Sequence, residues 1–333
     1  MKYKFFSVLT LIIFVLSCNS QQKKINGLSF VASPEKINSS HIIPVKKASA
    51  NFVSLMPFGF IKDLKSPLVN YNSERQWFGE TVEGLKQYAE EFKKEDIRIM
   101  VKPQIWVWRG EFTGNIEMES EENWQILEKT YTDFILDYAK VASTLEADIF
   151  CIGTELEKFV MLRPNYWQAL IKNIRKVYKG KLTYAANWDE FKRVPFWDTL
   201  DFIGIDAYFP LSNKKTPTVT DFELGWANHK KEIKRIQQQV NKPVLFTEFG
   251  YRSVDFTGKE PWDSKHVNGQ VNLVAQQNAT QAIYNQFWKE DWFAGGFLWK
   301  WFHNHAQVGG ENNNRFTPQN KPTEKLIQQL YAN

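Results

Sequence analysis

Cysteine is almost missing from these 333 residues; only Cys18 and Cys151 are present. Cys18 closes an N-terminal segment with the features of an export signal. The rest of the chain therefore holds one thiol and cannot form an internal disulfide. A fold without such staples needs a sizeable apolar core. A 43% share of hydrophobic residues against 24% charged ones supplies the material. Cys151 lies in an apolar run and is expected to be a buried packing thiol. Blocks of like charge are missing too. The net charge is +5, Lys2 and Lys4 contribute two of those charges, and the other basic residues are interspersed with acids. That excludes the basic footprint of a nucleic-acid binder. Histidine is scarce, with five in all. His303 and His305 form a His-x-His pair with no carboxylate-rich set nearby in sequence, so loop histidines are expected rather than a metal site. No linker and no short-period repeat interrupts the chain after its start, which implies one domain.

The start itself is distinct. Lys2 and Lys4 form a basic region, and Phe5 to Leu16 is an apolar run too short for an ordinary transmembrane helix. Val15-Leu16-Ser17-Cys18 then resembles a bacterial lipobox, in which cleavage precedes the cysteine and the cysteine carries lipid. The expectation is a lipoprotein signal peptide over 1–17, a lipidated tether over 18–26, and a folded domain over 27–333. An ordinary signal peptide cleaved nearby is the plainer alternative. Either way the chain is exported. With Cys18 lipidated it is anchored to the cell envelope.

Strand and helix patterns alternate eight times. The expected strands are 27–33, 51–61, 97–107, 147–156, 181–188, 201–209, 243–251 and 294–301. Between them lie helical patterns at 81–95, 123–145, 166–178, 222–240 and 272–290, an irregular or helical return at 36–49, a short crossover at 196–200, and a closing helix at 323–331. Parallel strands need such crossovers. Eight of them predict a single α/β domain, a closed (β/α)8 TIM barrel. Pro57 and Gly59 suggest that the second strand opens into a loop.

Two glutamates end strands in this scheme. Glu155 follows Ile149 to Thr154 in the fourth unit, and Glu248 follows Val244 to Thr247 in the seventh. A carboxylate after a buried β run is costly unless it is paired or useful. A closed barrel aims both into one pocket at its C-terminal face, and two facing carboxylates are the minimum equipment for glycoside cleavage. Thirteen tryptophans and a 15% aromatic share suit both a large core and a cleft lined with flat rings for sugar faces.

Several segments carry a resemblance: VKPQIW at 101–106, IGTELEKF at 152–159, ANWDEF at 186–191, IGIDAYFPL at 203–211, TEFGYRS at 247–253 and GFLWKW at 296–301. Together with the acid/base on strand four and the nucleophile on strand seven, they resemble the clan A retaining glycoside hydrolases, and within them glycoside hydrolase family 113. The resemblance covers about residues 25–331. It implies hydrolysis of β-1,4-linked mannan or mannooligosaccharides through a covalent glycosyl-enzyme intermediate, with no cofactor. Glu155 would be the general acid/base, Glu248 the nucleophile, and Tyr208 the residue that orients Glu248. Trp299 would form the aromatic floor under the cleaved sugar. Lys102, Gln104 and Trp106 are further candidates for sugar contact, and Asn187, Trp188 and Asp206 for binding sugar hydroxyls or for orienting the acids. Trp106 and Trp108 alternate across the pleat, so at most one should face the pocket while still in strand. Thr154 stands where many clan members carry an asparagine that binds the sugar 2-hydroxyl. Two alternatives remain: another β-glycan as substrate, or a non-catalytic glycan-binding lipoprotein.

Overall fold

The computed structural model describes residues 23–263 and 269–332. The expected signal peptide and Cys18 lie outside these residues. Among the described residues the strands are β1 (Ile25–Phe30), β2 (Phe52–Leu55), β3 (Phe58–Ile61), β4 (Asn70–Tyr71), β5 (Arg98–Val101), β6 (Gln104–Val107), β7 (Ile149–Thr154), β8 (Lys181–Asn187), β9 (Ile203–Asp206), β10 (Val244–Phe249) and β11 (Phe293–Trp301). Eight of them close a barrel in the order β1-β11-β10-β9-β8-β7-β5-β2, every pair parallel. The other three form a separate sheet, β4-β3-β6.

That second sheet is the main departure from the sequence expectation. Strands two and three were each expected to run unbroken, over 51–61 and 97–107. Each instead breaks at a proline, Pro57 and Pro103, which has no N–H to give to a ladder. The two continuations, β3 and β6, leave the barrel side by side and pair in parallel, Phe58 opposite Gln104 through Ile61 opposite Val107. The expected loop after the second strand is therefore a strand.

The helices are α1 (Ser39–Lys47), α2 (Val82–Lys93), α3 (Glu121–Thr144), α4 (Glu157–Leu162), α5 (Pro164–Val177), α6 (Val219–Val240), α7 (Leu273–Phe287) and α8 (Pro322–Ala332). Their ends follow local chemistry. Thr81 and Ser120 cap α2 and α3 by accepting backbone N–H groups, and Thr218 with Asp221 forms a capping box on α6. Asn241 ends α6 in the left-handed conformation, φ 55°. The short α4, directly after Glu155, was not expected from sequence.

The main core lies between barrel and helices, with Phe30, Phe92, Phe134, Trp167, Trp226 and Trp301 fully enclosed. A second apolar cluster joins Ile25, Phe52, Met100, Ile149, Phe202, Leu245 and Phe297. These residues come from strands all around the ring and mostly from early strand positions, so the cluster plugs the lumen near its N-terminal end. Gly27 makes room for it, because a Cβ there would meet the Phe297 ring at 2.4 Å. Each such buried side chain stabilises the fold by roughly 1.5–3 kcal/mol. The lumen above the plug is left to polar groups.

The barrel starts slightly earlier than expected. Lys24 donates to the carbonyls of Glu290 and Phe293, and the Asn26 side chain joins Tyr331 O and the Trp288 indole. Residues 24–26, expected in the tether, thus belong to the folded domain.

Candidate active site

Glu248 sits near the C-terminal end of β10, in register with Asp206 at the end of β9. Three donors from three other segments reach its carboxylate. Lys102 Nζ and Gln104 Nε2 (3.1 Å) donate to Oε1, and the Tyr208 hydroxyl donates to Oε2 at 2.6 Å. Lys102 follows β5, and Gln104 opens β6. The break at Pro103 therefore sets an ammonium and an amide on the same oxygen.

Lys102 was expected to touch sugar, but it cannot. Its exposure is 0%, and its ammonium lies between Glu248 and Asp206, 3.2 and 3.3 Å from the latter's two oxygens. Burial alone would lower its pKa. The charges of Asp206 and Glu248 outweigh that and raise it above the usual lysine range. Asp206, a candidate for binding a sugar hydroxyl or for orienting the acids, is equally enclosed, which leaves the orienting role. It accepts from Thr247 Oγ1 at 2.7 Å. Burial, with the Glu248 charge, pushes its carboxyl up to about 7 against the pull of Lys102. Both residues belong beneath the cleft.

Glu155 stands just beyond β7, half-buried, with a backbone φ of 51°. A non-glycine residue in the left-handed region is held there by its surroundings. Three hydrogen bonds do so: Glu155 N–H to Ala185 O (2.8 Å), Thr113 Oγ1 to Glu155 O (3.0 Å), and Leu156 N–H to the Tyr184 hydroxyl (2.7 Å). Burial first, then the charges of Asp206 and Glu248, hold the Glu155 carboxyl well above the usual range, with Lys102 opposing. The site thus sets an acid that binds its proton more tightly than usual near a carboxylate held by three donors. Tyr208 is fit to be one of them, since burial and the Glu248 charge keep its phenol protonated.

The remaining candidates are spread around the rim. Trp299 is half-buried, and Lys300 Nζ lies 5.2 Å from its ring centroid; the Trp299–Lys300 peptide is cis. Asn187 ends β8, where its Oδ1 accepts the Trp188 N–H at 2.8 Å. Trp188 stacks on Trp262, centroids 5.1 Å apart. Trp106 stands on β6, on the second sheet. Trp106 and Trp108 line the same surface cavity, which corrects the expectation that they lie across the pleat: residues two apart along a strand share a face.

Sequence reasoning missed Glu190, Tyr184, Thr113 and Lys300. Glu190 has 1% exposure; its oxygens accept from the Tyr184 hydroxyl (2.6 Å) and the Asn187 N–H (2.9 Å). Burial pushes its carboxyl up to about 8. The only local signal was a lysine inside an apolar strand for Lys300; a loop glutamate among polar neighbours offers none. Among the described residues no group of three or more His, Cys, Asp or Glu side chains is arranged to hold a metal ion.

Known proteins resemble the chain in family profile and in fold. The profile of Glycoside Hydrolase Family 113 matches residues 34–321. A family 113 β-mannanase from Alicyclobacillus acidocaldarius superposes with a TM-score of 0.81 at 23% identity, covering 93% of this chain and 97% of that one. A second structure, of a family 113 β-1,4-mannanase, gives 0.80 at 20% identity over 93% and 99%. A β-glucuronidase from Faecalibacterium prausnitzii gives 0.60 at 13% identity, over 93% of this chain and 49% of its own. At these identities the structural likeness is one of fold. No curated protein matches the chain.

Proposed function

The chain belongs to glycoside hydrolase family 113, and from that premise we propose that it cleaves β-1,4-linked mannan or mannooligosaccharides with retention of configuration. The β-mannanases among the similar structures support the sugar. The observation that carries the mechanism is the contrast between the two glutamates: one with its pKa raised by burial and neighbouring charge, the other held by Lys102, Gln104 and Tyr208.

In the first step Glu248 attacks the anomeric carbon while Glu155 protonates the departing glycosidic oxygen. The leaving chain departs as an alcohol, and Glu248 is esterified. Esterification removes the Glu248 charge and with it part of what keeps Glu155 protonated, so Glu155 now ionises readily. It takes a proton from water, which attacks the same carbon and releases Glu248. Such pairs work at a carboxyl separation of about 5–5.5 Å. Tyr208 and Gln104 fix the attacking carboxylate, and Lys102 balances its charge from below. No cofactor enters this scheme.

The test is product analysis on β-mannan, glucomannan, β-glucan and xylan, with Glu155→Gln and Glu248→Gln as controls. Mannooligosaccharides released by the wild type and by neither variant support the reading. Cleavage of β-glucan or xylan alone would replace the sugar and keep the mechanism. Thr154 is the reason to include those glycans. It is half-buried, its enclosed hydroxyl makes no hydrogen bond of ordinary geometry among the described residues, and it stands where a longer amide is common among clan members. Binding without turnover in wild type and variants would leave a glycan-binding lipoprotein instead.

The export signal and the lipid on Cys18 belong to the same reading, supported by the residues before Cys18. Metabolic labelling with palmitate should mark the wild type and miss Cys18→Ser. Label in neither would remove the lipid anchor, and label in both would move it off Cys18.

A further inference from the structure

The second sheet has two unlike faces. On one, Ile61, Ile105 and Val107 enter the main core, and Tyr71 packs with its ring 5.2 Å from that of Phe134 on α3. This face explains why the sheet exists. The other face follows from the register. Phe58 lies opposite Gln104, and Phe60 lies opposite both Trp106 and Asn70. Alternation places these five residues together, and all of them keep exposed surface. They form an aromatic and amide surface on a part of the fold that could have been wholly polar.

That surface continues the active site. Gln104, at one end of it, donates to Glu248. Trp106 is two residues further along the same strand and the same face, roughly 7 Å away at the usual rise. Beyond it Phe60, Ile61, Lys62, Asn70, Trp106 and Trp108 line a cavity of about 410 Å³, within the ~300–1,000 Å³ range of small-ligand sites. Trp106 is 48% exposed and Trp108 67%. Indoles of that size left open beside a cleft mark a surface for a ligand with an apolar face. Asn70 and Lys62 add hydrogen-bond donors at the margin.

We propose that this face is a distal glycan-binding subsite. It takes a hexose unit of the substrate chain beyond the two that flank the cleaved bond. The unit lays the C–H face of its ring on Trp106 and Trp108 and turns its hydroxyls to Asn70 and Lys62. The inference rests on the glycoside-hydrolase reading of the Glu155–Glu248 pair, and it makes chain length part of substrate recognition. The prolines that divide strands two and three are what carry the platform out from the barrel mouth.

The test compares wild type, Trp106→Ala and Trp106→Phe on an aryl β-mannoside and on mannohexaose. Trp106→Ala should lower kcat/KM on the hexasaccharide by about tenfold, a typical loss for an aromatic stacking partner. The loss should be several times smaller on the aryl glycoside, and phenylalanine should restore most of it. An equal loss on both substrates, or no loss on the hexasaccharide, overturns the proposal. Should the wild type cut neither, the catalytic or sugar reading fails, and tryptophan fluorescence decides the subsite separately. A spectral shift on adding mannohexaose, cellohexaose or xylohexaose that Trp106→Phe diminishes keeps the subsite; no shift with any of them removes it.

Discussion

Replacing Glu190 with glutamine should flatten the dependence of stability on pH. Glu190 is 1% exposed, and burial moves its carboxyl up to about 8 from an ordinary value of 4.5. Below about pH 4.5 the group is protonated in both folded and unfolded chains and contributes no pH dependence. Between about 4.5 and 8 the unfolded chain releases the proton and the folded chain keeps it. Stability therefore falls as pH rises, by about 1.4 kcal/mol per unit, and levels off above the folded pKa. The full fall from this one group is roughly 5 kcal/mol, comparable with the whole stability of a marginal domain. Glutamine cannot ionise, and it matches the protonated acid in shape. Its carbonyl can accept from the Asn187 N–H, and its amide can donate to the Tyr184 hydroxyl.

The assay is urea denaturation of wild type and Glu190→Gln at pH 5 and pH 8. Other buried acids titrate in this range, Asp206 among them at about 7. The readout is therefore the difference between the two proteins. The variant should gain several kcal/mol relative to wild type on going from pH 5 to pH 8. Equal shifts in both would refute the claim that Glu190 is held as a buried acid. A second readout bears on catalysis. Tyr184 links Glu190 to the Leu156 N–H, next to the acid/base candidate. The Glu190 charge, which develops only above about pH 8, is also among those that raise Glu155. The alkaline limb of the kcat/KM profile should consequently move to slightly lower pH in the variant. Glu190→Ala, which strips partners from Tyr184 and the Asn187 N–H, should lower kcat more than Glu190→Gln does.

Two further outcomes follow from the charge network. Lys102→Met removes the one ammonium that, among the described residues, is hydrogen-bonded to both Glu248 and Asp206, and should cost about 3–5 kcal/mol, as does breaking a buried ion pair elsewhere. Thermal unfolding measures this, with the largest loss at neutral pH and recovery in acid as the Asp206 carboxyl protonates. An unchanged midpoint at pH 7 would contradict the pairing. Tyr208→Phe removes one charge-assisted hydrogen bond from Glu248, of about 1.5–3 kcal/mol. kcat should drop roughly 10- to 100-fold at similar KM, and a pure KM effect would show that Tyr208 contacts substrate rather than the carboxylate.

What the sequence allowed and what it hid divide along one physical line. The barrel strands announce themselves because apolar runs are local. Glu155 and Glu248 stand out because an acid at the end of such a run needs a reason. Tyr208, two residues past β9, was named through the family resemblance rather than from the pattern of its own segment. The place of Lys102 was not legible, because its burial depends on Asp206, 104 residues away. Glu190 sits in the turn after β8 and looks like a surface acid until Tyr184 and Asn187 fold back on it. The second sheet was hidden for a related reason. NFVSLMPFGFI and IRIMVKPQIWV are equally apolar on both sides of their prolines, since β3 and β6 also bury one face. Periodicity sees burial but not against what. Both breaks fall at the barrel mouth, and each sends the chain outward just where a carboxylate needs partners. The same bend that puts Lys102 under Glu248 puts Gln104 on its oxygen and Trp106 beyond it. The charge balance of the catalytic pair and the reach of the cleft are thus two consequences of one backbone feature. A variant that straightened strand three by removing Pro103 would be expected to disturb both together.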